Sequence, residues 1–271
     1  MTKQRIGLVG AAGRLGSVLA AGIAATDDLE LVAAVSPAHA GRRLDDVIRA
    51  LPEGSPAGDL IIAGALEALT AARVDVAVEV TGPATVGTHL RWILEHGIHA
   101  VVGATGLAAD DLAAARELAA SGPARALVVP NFSIGAVLVE RFAAEAARHL
   151  PHVEIIELHH DRKVDAPSGT ALATAAAVAR ARGEGAPEPA GVDGPAVAPG
   201  SRGSIQHGVP VHAIRLPGLL AHEEVLLGGE GQLLTLRHDT TDRTAFVAGA
   251  LLACRSVAGL DGLVVGLGEL L

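Results

Sequence analysis

Aromatic side chains are nearly missing from this chain: three Phe, one Trp and no Tyr in 271 residues. A core must therefore be built from Ala, Val, Leu and Ile, and stacking of nucleic-acid bases on exposed rings is disfavoured. Cysteine is as scarce. Cys254 stands alone, which excludes an intrachain disulfide and a cysteine-rich metal site. It lies in an apolar helical run and reads as a small core residue. Basic residues fall short of acidic ones, 21 against 30, and a formal net charge of -9 argues against general nucleic-acid binding, although a local basic pocket can still hold an anion. No window of about twenty uninterrupted apolar residues reads as a membrane span. The start, Met1-Thr2-Lys3-Gln4-Arg5, leads straight into a strand and lacks the pattern of an export signal. The expectation is a cytoplasmic protein with neither membrane nor nucleic-acid partner.

What is plentiful is aliphatic. Hydrophobic residues make up 50% and charged ones 19%, a globular composition in a chain long enough for one large domain or two ordinary ones. Arg5 to Val9 reads as a buried strand, followed by Gly10-Ala11-Ala12-Gly13-Arg14-Leu15-Gly16 and a helix from Ser17 to Ala25. Strand, glycine loop and helix in this order open a dinucleotide-binding unit, with Gly10, Ala12, Gly13, Arg14, Leu15 and Gly16 as the pyrophosphate cradle. A second strand, Leu29 to Val35, ends at Ser36, where an acidic residue is expected to hold the adenine-side ribose. Ser36 repels no 2′-phosphate, so NADPH is expected to serve at least as well as NADH. Arg42 and Arg43 are candidates to meet that phosphate, and Asp45 and Asp46 act against it.

Further strands are expected over Val74–Thr81, 100–102 and 126–129, with helices over Val86–His96 and Asp110–Ala120 between them and a short one near Leu44–Leu51. This alternation gives a Rossmann-type parallel sheet wound on both faces. The loops at Gly10, Gly82 and Gly103 lie at its carboxyl edge, where ligands bind. Beyond it a helix from Val137 to His149 precedes a strand from Val153 to Leu158. Residues 183–203, with five glycines before Ser201 and four prolines, read as a long meandering loop. Strands over 209–216, 221–227 and 232–238 read as antiparallel and, with the strand at 153, suggest an α+β domain on a mixed sheet of about four strands. A helix over 244–258 and a strand-like run over 263–267 close the chain. The expected domains are 1–131 with 243–271 for the dinucleotide, and 132–242 for substrate and oligomerisation. His207, His212, His222 and His238 are scattered without ligand spacing, and no metal site is expected.

One stretch organises the second half: Glu157-Leu158-His159-His160-Asp161-Arg162-Lys163-Val164-Asp165-Ala166-Pro167-Ser168-Gly169-Thr170-Ala171. An Ala-rich helix follows to Arg182, so Ser168-Gly169-Thr170 sits where free backbone N–H groups and the helix dipole meet an anion. Lys163 adds a full charge, and the His pair can donate protons near neutral pH. Asp165 either orients Lys163 or caps the turn, and the cap is the favoured reading.

Every fixed position of Glu-x-His-His-x-x-Lys-x-Asp-x-Pro-Ser-Gly-Thr is filled, and this stretch closely resembles the signature of the 4-hydroxy-tetrahydrodipicolinate reductase family. The resemblance extends to the Gly-x-x-Gly-x-x-Gly loop with Arg14 inside it, to Thr81 and Pro83, to Gly103-Ala104-Thr105-Gly106, and to Pro130-Asn131-Phe132-Ser133-Ile134-Gly135 at the domain junction. Glu79, Val80 and Ala104 depart from the family's Asp, Phe and Thr. The resemblance implies NAD(P)H-dependent reduction of a cyclic dicarboxylate in lysine and diaminopimelate biosynthesis. His159 is then the general acid and Lys163 its catalytic companion, with His160, Ser168, Gly169, Thr170 and Thr105 toward substrate. Ser36, Thr81, Gly103, Thr105, Pro130, Asn131 and Phe132 join the glycine loop on the cofactor side. It also implies a homotetramer built through the second-domain sheet, and a tail that returns to the first domain. Two other readings stand beside it: a related imine reductase or dehydrogenase acting on another small acid, and a nucleotide-sensing module without turnover.

Overall fold

The protein is described by a computed structural model covering residues 3–183, 186–189, 198 and 200–271. In chain order the first elements are β1 (Gln4–Val9), α1 (Arg14–Ala24), β2 (Leu29–Val35), α2 (Leu44–Val47), α3 (Glu67–Ala71), β3 (Val76–Glu79), α4 (Val86–Glu95), β4 (His99–Val102), α5 (Ala109–Ser121) and β5 (Ala126–Val128). There follow α6 (Ile134–Ala147), β6 (His152–His159), α7 (Gly169–Arg182), β7 (Ser204–Gln206), β8 (Val209–Arg215), β9 (Ala221–Gly229), β10 (Gln232–Thr240), α8 (Val247–Ser256) and β11 (Leu263–Val265). They fall into two compact units, Met1–Phe132 with Arg243–Leu271, and Ser133–Asp242.

In the first unit six parallel strands run in the order β2-β1-β3-β4-β5-β11. Ile6, Leu8, Val76, Val78, Val101 and Leu127 are fully buried, the unbroken apolar pattern of strands covered on both faces. Chain order reverses between β1 and β3, and a crevice opens at the carboxyl ends of such a pair. The tail returns as expected, with β11 beside β5. Cys254 on α8 is buried, and burial pushes its thiol up to about 12, so it stays protonated and inert.

The second unit has five strands, ordered β10-β9-β6-β8-β7, with α6 and α7 packed through Val139, Ala143, Ala175 and Val178 onto Val153, Ile155, Val211 and Val225. The sheet is mixed, as expected, with one strand beyond the expected four: β7, whose three residues show too little alternation to be told from a turn. The parallel pair is β8 with β6, because α7 lies in the connection between them and a crossover returns the chain in the same sense. Elsewhere, apart from the short unexpected α3, the differences are at element ends. The helix expected near Leu44–Leu51 stops at Val47, since Ile48 is extended (φ -114, ψ 92). α1 starts at Arg14, three residues early, so Arg14 and Leu15 belong to its first turn. The long loop expected over 183–203 lies largely outside the described residues.

Candidate active site

The nucleotide edge of the first unit is built by close approach. Gly10 has φ +90, and a Cβ there would stand 3.1 Å from the Val80 carbonyl and 3.2 Å from the Thr81 methyl. A Cβ on Gly16 would stand 2.1 Å from the Gly10 oxygen, so helix and loop pack only if this residue is glycine. The amides of Gly10 and Ala11 are taken by Val35 O at 2.9 and 3.2 Å, and Gly13 N by Gly10 O at 3.0 Å. The first turn of α1 holds no acidic side chain, and no side chain caps it. Its positive end is thus left for an anion, and a nucleotide pyrophosphate fits this cradle. Gly103 lies against Phe132, whose ring a Cβ would meet at 2.2 Å, which brings two of the expected cofactor residues together. Thr105 and Pro130 are exposed and Asn131 half-buried.

Ser36 is buried at the end of β2, with its hydroxyl 3.2 Å from His39 Nδ1. The two nearby arginines are engaged. Arg43 donates to Asp45 at 3.0 and 2.6 Å and to Asp59 at 2.9 Å, and Arg42 donates to Asp46 O at 3.2 Å. Glu79, buried at the end of β3, accepts from Thr81 N at 3.2 Å and from the Thr81 hydroxyl, and lies 3.1 Å from His89 Nδ1.

In the second unit β6 alternates so that Val153, Ile155, Glu157 and His159 share the face toward α6 and α7. Glu157 therefore enters the core as a carboxylate, and every partner it has is charged or polar. Its Oε2 lies 2.6 Å from His159 Nδ1 and accepts from Arg215 Nη1 at 2.7 Å. Its Oε1 accepts from Arg215 Nη2 at 2.8 Å and from Ser168 N at 3.0 Å. Burial alone pushes the Glu157 carboxyl up, but hydrogen bonds and charge from His159 and Arg215 more than reverse this and hold it at about 2. Arg215 also donates to Asp165 O at 2.6 Å, tying down the loop that carries Lys163.

Lys163 Nζ donates to Asp165 Oδ2 at 2.7 Å. The favoured reading of Asp165 as a cap is thus overturned: it holds Lys163, whose hydrogen bond in turn keeps the Asp165 carboxyl below its ordinary value. The cap is Ser168, whose Oγ accepts from Ala171 N at 3.2 Å. His160 fixes the loop by its backbone, with its N donating to Leu220 O at 3.4 Å and its O accepting from Lys163 N at 3.1 Å. Gly169 is exposed and Thr170 half-buried in the first turn of α7, again without an acidic side chain. Opposite Glu157 across the β6–β9 pair stands Glu223. It is buried, its oxygens make no hydrogen bond, and Thr174 is near enough to draw the carboxyl slightly down without meeting hydrogen-bond geometry. Burial first, then the charges of Glu140 and Glu157, push Glu223 up to about 7.

This arrangement can do two things chemically: hold an anion at the start of α7 beside an ammonium, and move a proton at His159. Family models for the dihydrodipicolinate reductase N-terminus and C-terminus match residues 4–132 and 135–271. The chain belongs to the dihydrodipicolinate reductase family. It is an oxidoreductase.

Among its relatives, 4-hydroxy-tetrahydrodipicolinate reductase of Streptomyces griseus subsp. griseus is 46% identical over 268 residues, covering 98% of this chain and 97% of the relative. That of Mycolicibacterium vanbaalenii is 43% identical over 273 residues, covering 99% of each. A solved structure of dipicolinate-bound dihydrodipicolinate reductase from Paenisporosarcina sp. TG-14 superposes over 100% of both chains with a TM-score of 0.84 at 35% identity. An amine dehydrogenase from Mycobacterium smegmatis shares the fold at a TM-score of 0.64 and 16% identity.

Sequence reasoning missed two residues of this cluster. The role of Glu157 was legible in principle, because a carboxylate in phase with Val153 and Ile155 points into the core and must be paired. Arg215 carried no such signal. It lies 58 residues away and meets Glu157 only through the β6–β8 register.

Proposed function

We propose that the chain reduces 4-hydroxy-tetrahydrodipicolinate to tetrahydrodipicolinate, in lysine and diaminopimelate biosynthesis, with His159 as proton donor and Lys163 and the Ser168-Gly169-Thr170 turn as the dicarboxylate site. The observation that carries this reading is that one buried carboxylate, Glu157, touches both the imidazole and the first amide of the turn. When bound, a nicotinamide nucleotide supplies the hydride. The protein's own groups do the rest. Gly169 N, Thr170 and Lys163 hold one substrate carboxylate by charge-assisted hydrogen bonds at a helix N-terminus. His160 is assigned to the same ligand. His159 quenches the negative charge that builds on the conjugated ring by giving up a ring proton. On the nucleotide side Gly10, Ala12, Gly13, Arg14, Leu15 and Gly16 take the pyrophosphate, Ser36 the ribose, and Thr81, Gly103, Thr105, Pro130, Asn131 and Phe132 line the rest.

The test is a spectrophotometric assay of NADPH and NADH oxidation coupled to the synthase that makes the substrate. Turnover with either nucleotide is expected. Nucleotide binding without turnover would favour the sensing module, and turnover only on another imine or small acid would favour a related reductase.

We also propose a homotetramer and a cytoplasmic location. Helices α6 and α7 cover one face of the second sheet, and the other face shows Ile214 and Leu233 at 41% and 67% exposure, which supports sheet-to-sheet assembly. The biosynthetic reaction supports the location. No helix among the described residues is long and apolar enough to cross a membrane.

A further inference from the structure

Four hydrogen bonds meet on the Glu157 carboxylate, and three of them come from donors that cannot become acceptors: two guanidinium N–H groups of Arg215 and the Ser168 amide. The fourth partner, His159 Nδ1, can take either role. An ionised carboxylate accepts only, so Nδ1 must carry a proton, and in the neutral ring Nε2 is then the bare nitrogen. We propose that Glu157 is a positioning residue which, clamped by Arg215, fixes His159 with Nδ1 protonated and Nε2 as the atom that delivers the proton, and which anchors the start of the anion turn with its second oxygen.

This rests on the acid role proposed for His159 and adds which atom acts and what selects it. The imidazolium gives its Nε2 proton to the substrate carbon that bears the electron pair, which forms the new C–H bond. It returns to the neutral Nδ1–H ring and regains its proton from solvent. Throughout, Glu157 stays ionised and keeps its bond to Nδ1. The charged and titratable surroundings agree with this assignment. Arg215 on β8 neutralises Glu157, and Lys163 is occupied with Asp165. Glu223 faces Glu157 from β9, with Glu140 on α6 adding to its electrostatic load, and His238 faces Glu223 from β10. None of these offers His159 Nδ1 a competing acceptor among the described residues.

Replacing Glu157 by Gln separates this device from a merely structural one. At either position the new amide nitrogen faces one Arg215 N–H, which must withdraw, and of the other two partners His159 alone can switch from donor to acceptor. The carbonyl is expected to stay on Ser168 N, with the amide donating to a now bare Nδ1, so the neutral ring becomes Nε2–H. Histidine 15N spectra, with His159 assigned by difference against His159→Gln, should show Nδ1–H in the wild type and Nε2–H in Glu157→Gln. kcat is expected to fall about 10²-fold in Glu157→Gln, with the limb that reports the acid moved to lower pH, because the imidazolium loses its anionic partner. Binding of pyridine-2,6-dicarboxylate should change less than about threefold, since the turn keeps its acceptor. Glu157→Asp, which keeps the charge, should return the acid limb toward the wild-type position. A wild-type His159 in the Nε2–H form overturns the proposal whatever the variants do, including any that fail to fold. So does a Glu157→Gln enzyme with wild-type tautomer and pH profile. If instead His159→Gln turns over normally, the acid role itself fails and the proposal falls with it.

Discussion

Lys163 reaches Asp165 at 2.7 Å, so in the proposed site a substrate carboxylate shares the ammonium with a neighbour two residues along the chain. Three substitutions follow different courses from this geometry. Lys163→Ala removes a charge-assisted contact worth about 1.5–3 kcal/mol, so KM should rise roughly tenfold or more, with kcat falling as well. His159→Ala should act mainly on kcat, by about 10²-fold or more. Asp165→Asn frees Lys163 and should tighten pyridine-2,6-dicarboxylate by a few-fold at low salt, in keeping with about 1 kcal/mol for an exposed pair. Steady-state kinetics and a calorimetric titration check all three. Wild-type constants in both Lys163→Ala and His159→Ala would remove the site assignment.

At the scale of elements, two helix starts are proposed to receive anions, and each is prepared by residues outside the helix. The first turn of α7 is held by the Ser168 cap and by Glu157 on a neighbouring strand. Thr170→Val removes a hydroxyl donor there and should weaken the dicarboxylate by roughly tenfold, with a steeper loss at high salt for both forms. The start of α1 is proposed to depend on the end of β2 for its choice of nucleotide. Ser36 is neutral and buried against His39, so Ser36→Asp should move kcat/KM toward NADH by roughly 1–3 kcal/mol, the scale of a charged hydrogen bond. Arg43 was an equal candidate with Arg42 to meet a 2′-phosphate. Its pairing with Asp45 and Asp59 lowers that expectation, because a phosphate would have to displace two carboxylates. The comparison of NADPH with NADH in Ser36→Asp, Arg42→Ala and Arg43→Ala decides whether either arginine reads the cofactor.

For the whole molecule, two facing carboxylates give stability opposite slopes with pH. Glu157 has a folded value of about 2 against an ordinary 4.5, so its contribution is present above pH 4.5 and is lost as pH falls toward 2. Glu223 has a folded value of about 7, so the folded chain holds a proton that the unfolded chain releases near 4.5, and stability falls as pH rises from 4.5 to 7. Glu223→Gln keeps a neutral group of the same shape. It should leave the urea midpoint at pH 4.5 unchanged and raise stability at pH 8 by about 1–3 kcal/mol. An equal effect at both values would mean that Glu223 is not held protonated. Assembly belongs to the same scale. Ile214→Asp on the open face of the second sheet should shift sedimentation from the proposed tetramer toward smaller species, while a sedimentation coefficient equal to wild type would place the interface elsewhere.

What the sequence determined by itself is what neighbouring residues encode. The glycine loop between strand and helix, the alternation of β1 to α5 and the His159 to Thr170 stretch all depend on local backbone needs and on periods of 2.0 and 3.6 residues. A glycine forced by a 2.1 Å approach at Gly16 is visible as a motif without knowing what it approaches. Only the tertiary structure decided the rest. β8 runs parallel to β6 because of a crossover, and that register puts Arg215 on Glu157. Asp165 turns to Lys163 and leaves the cap to Ser168, and Arg43 faces two acids. These are choices among several partners of suitable charge, and distance in the folded chain makes them. A carboxylate in phase with a buried strand announces that it needs a partner, but the sheet register supplies that partner from 58 residues away.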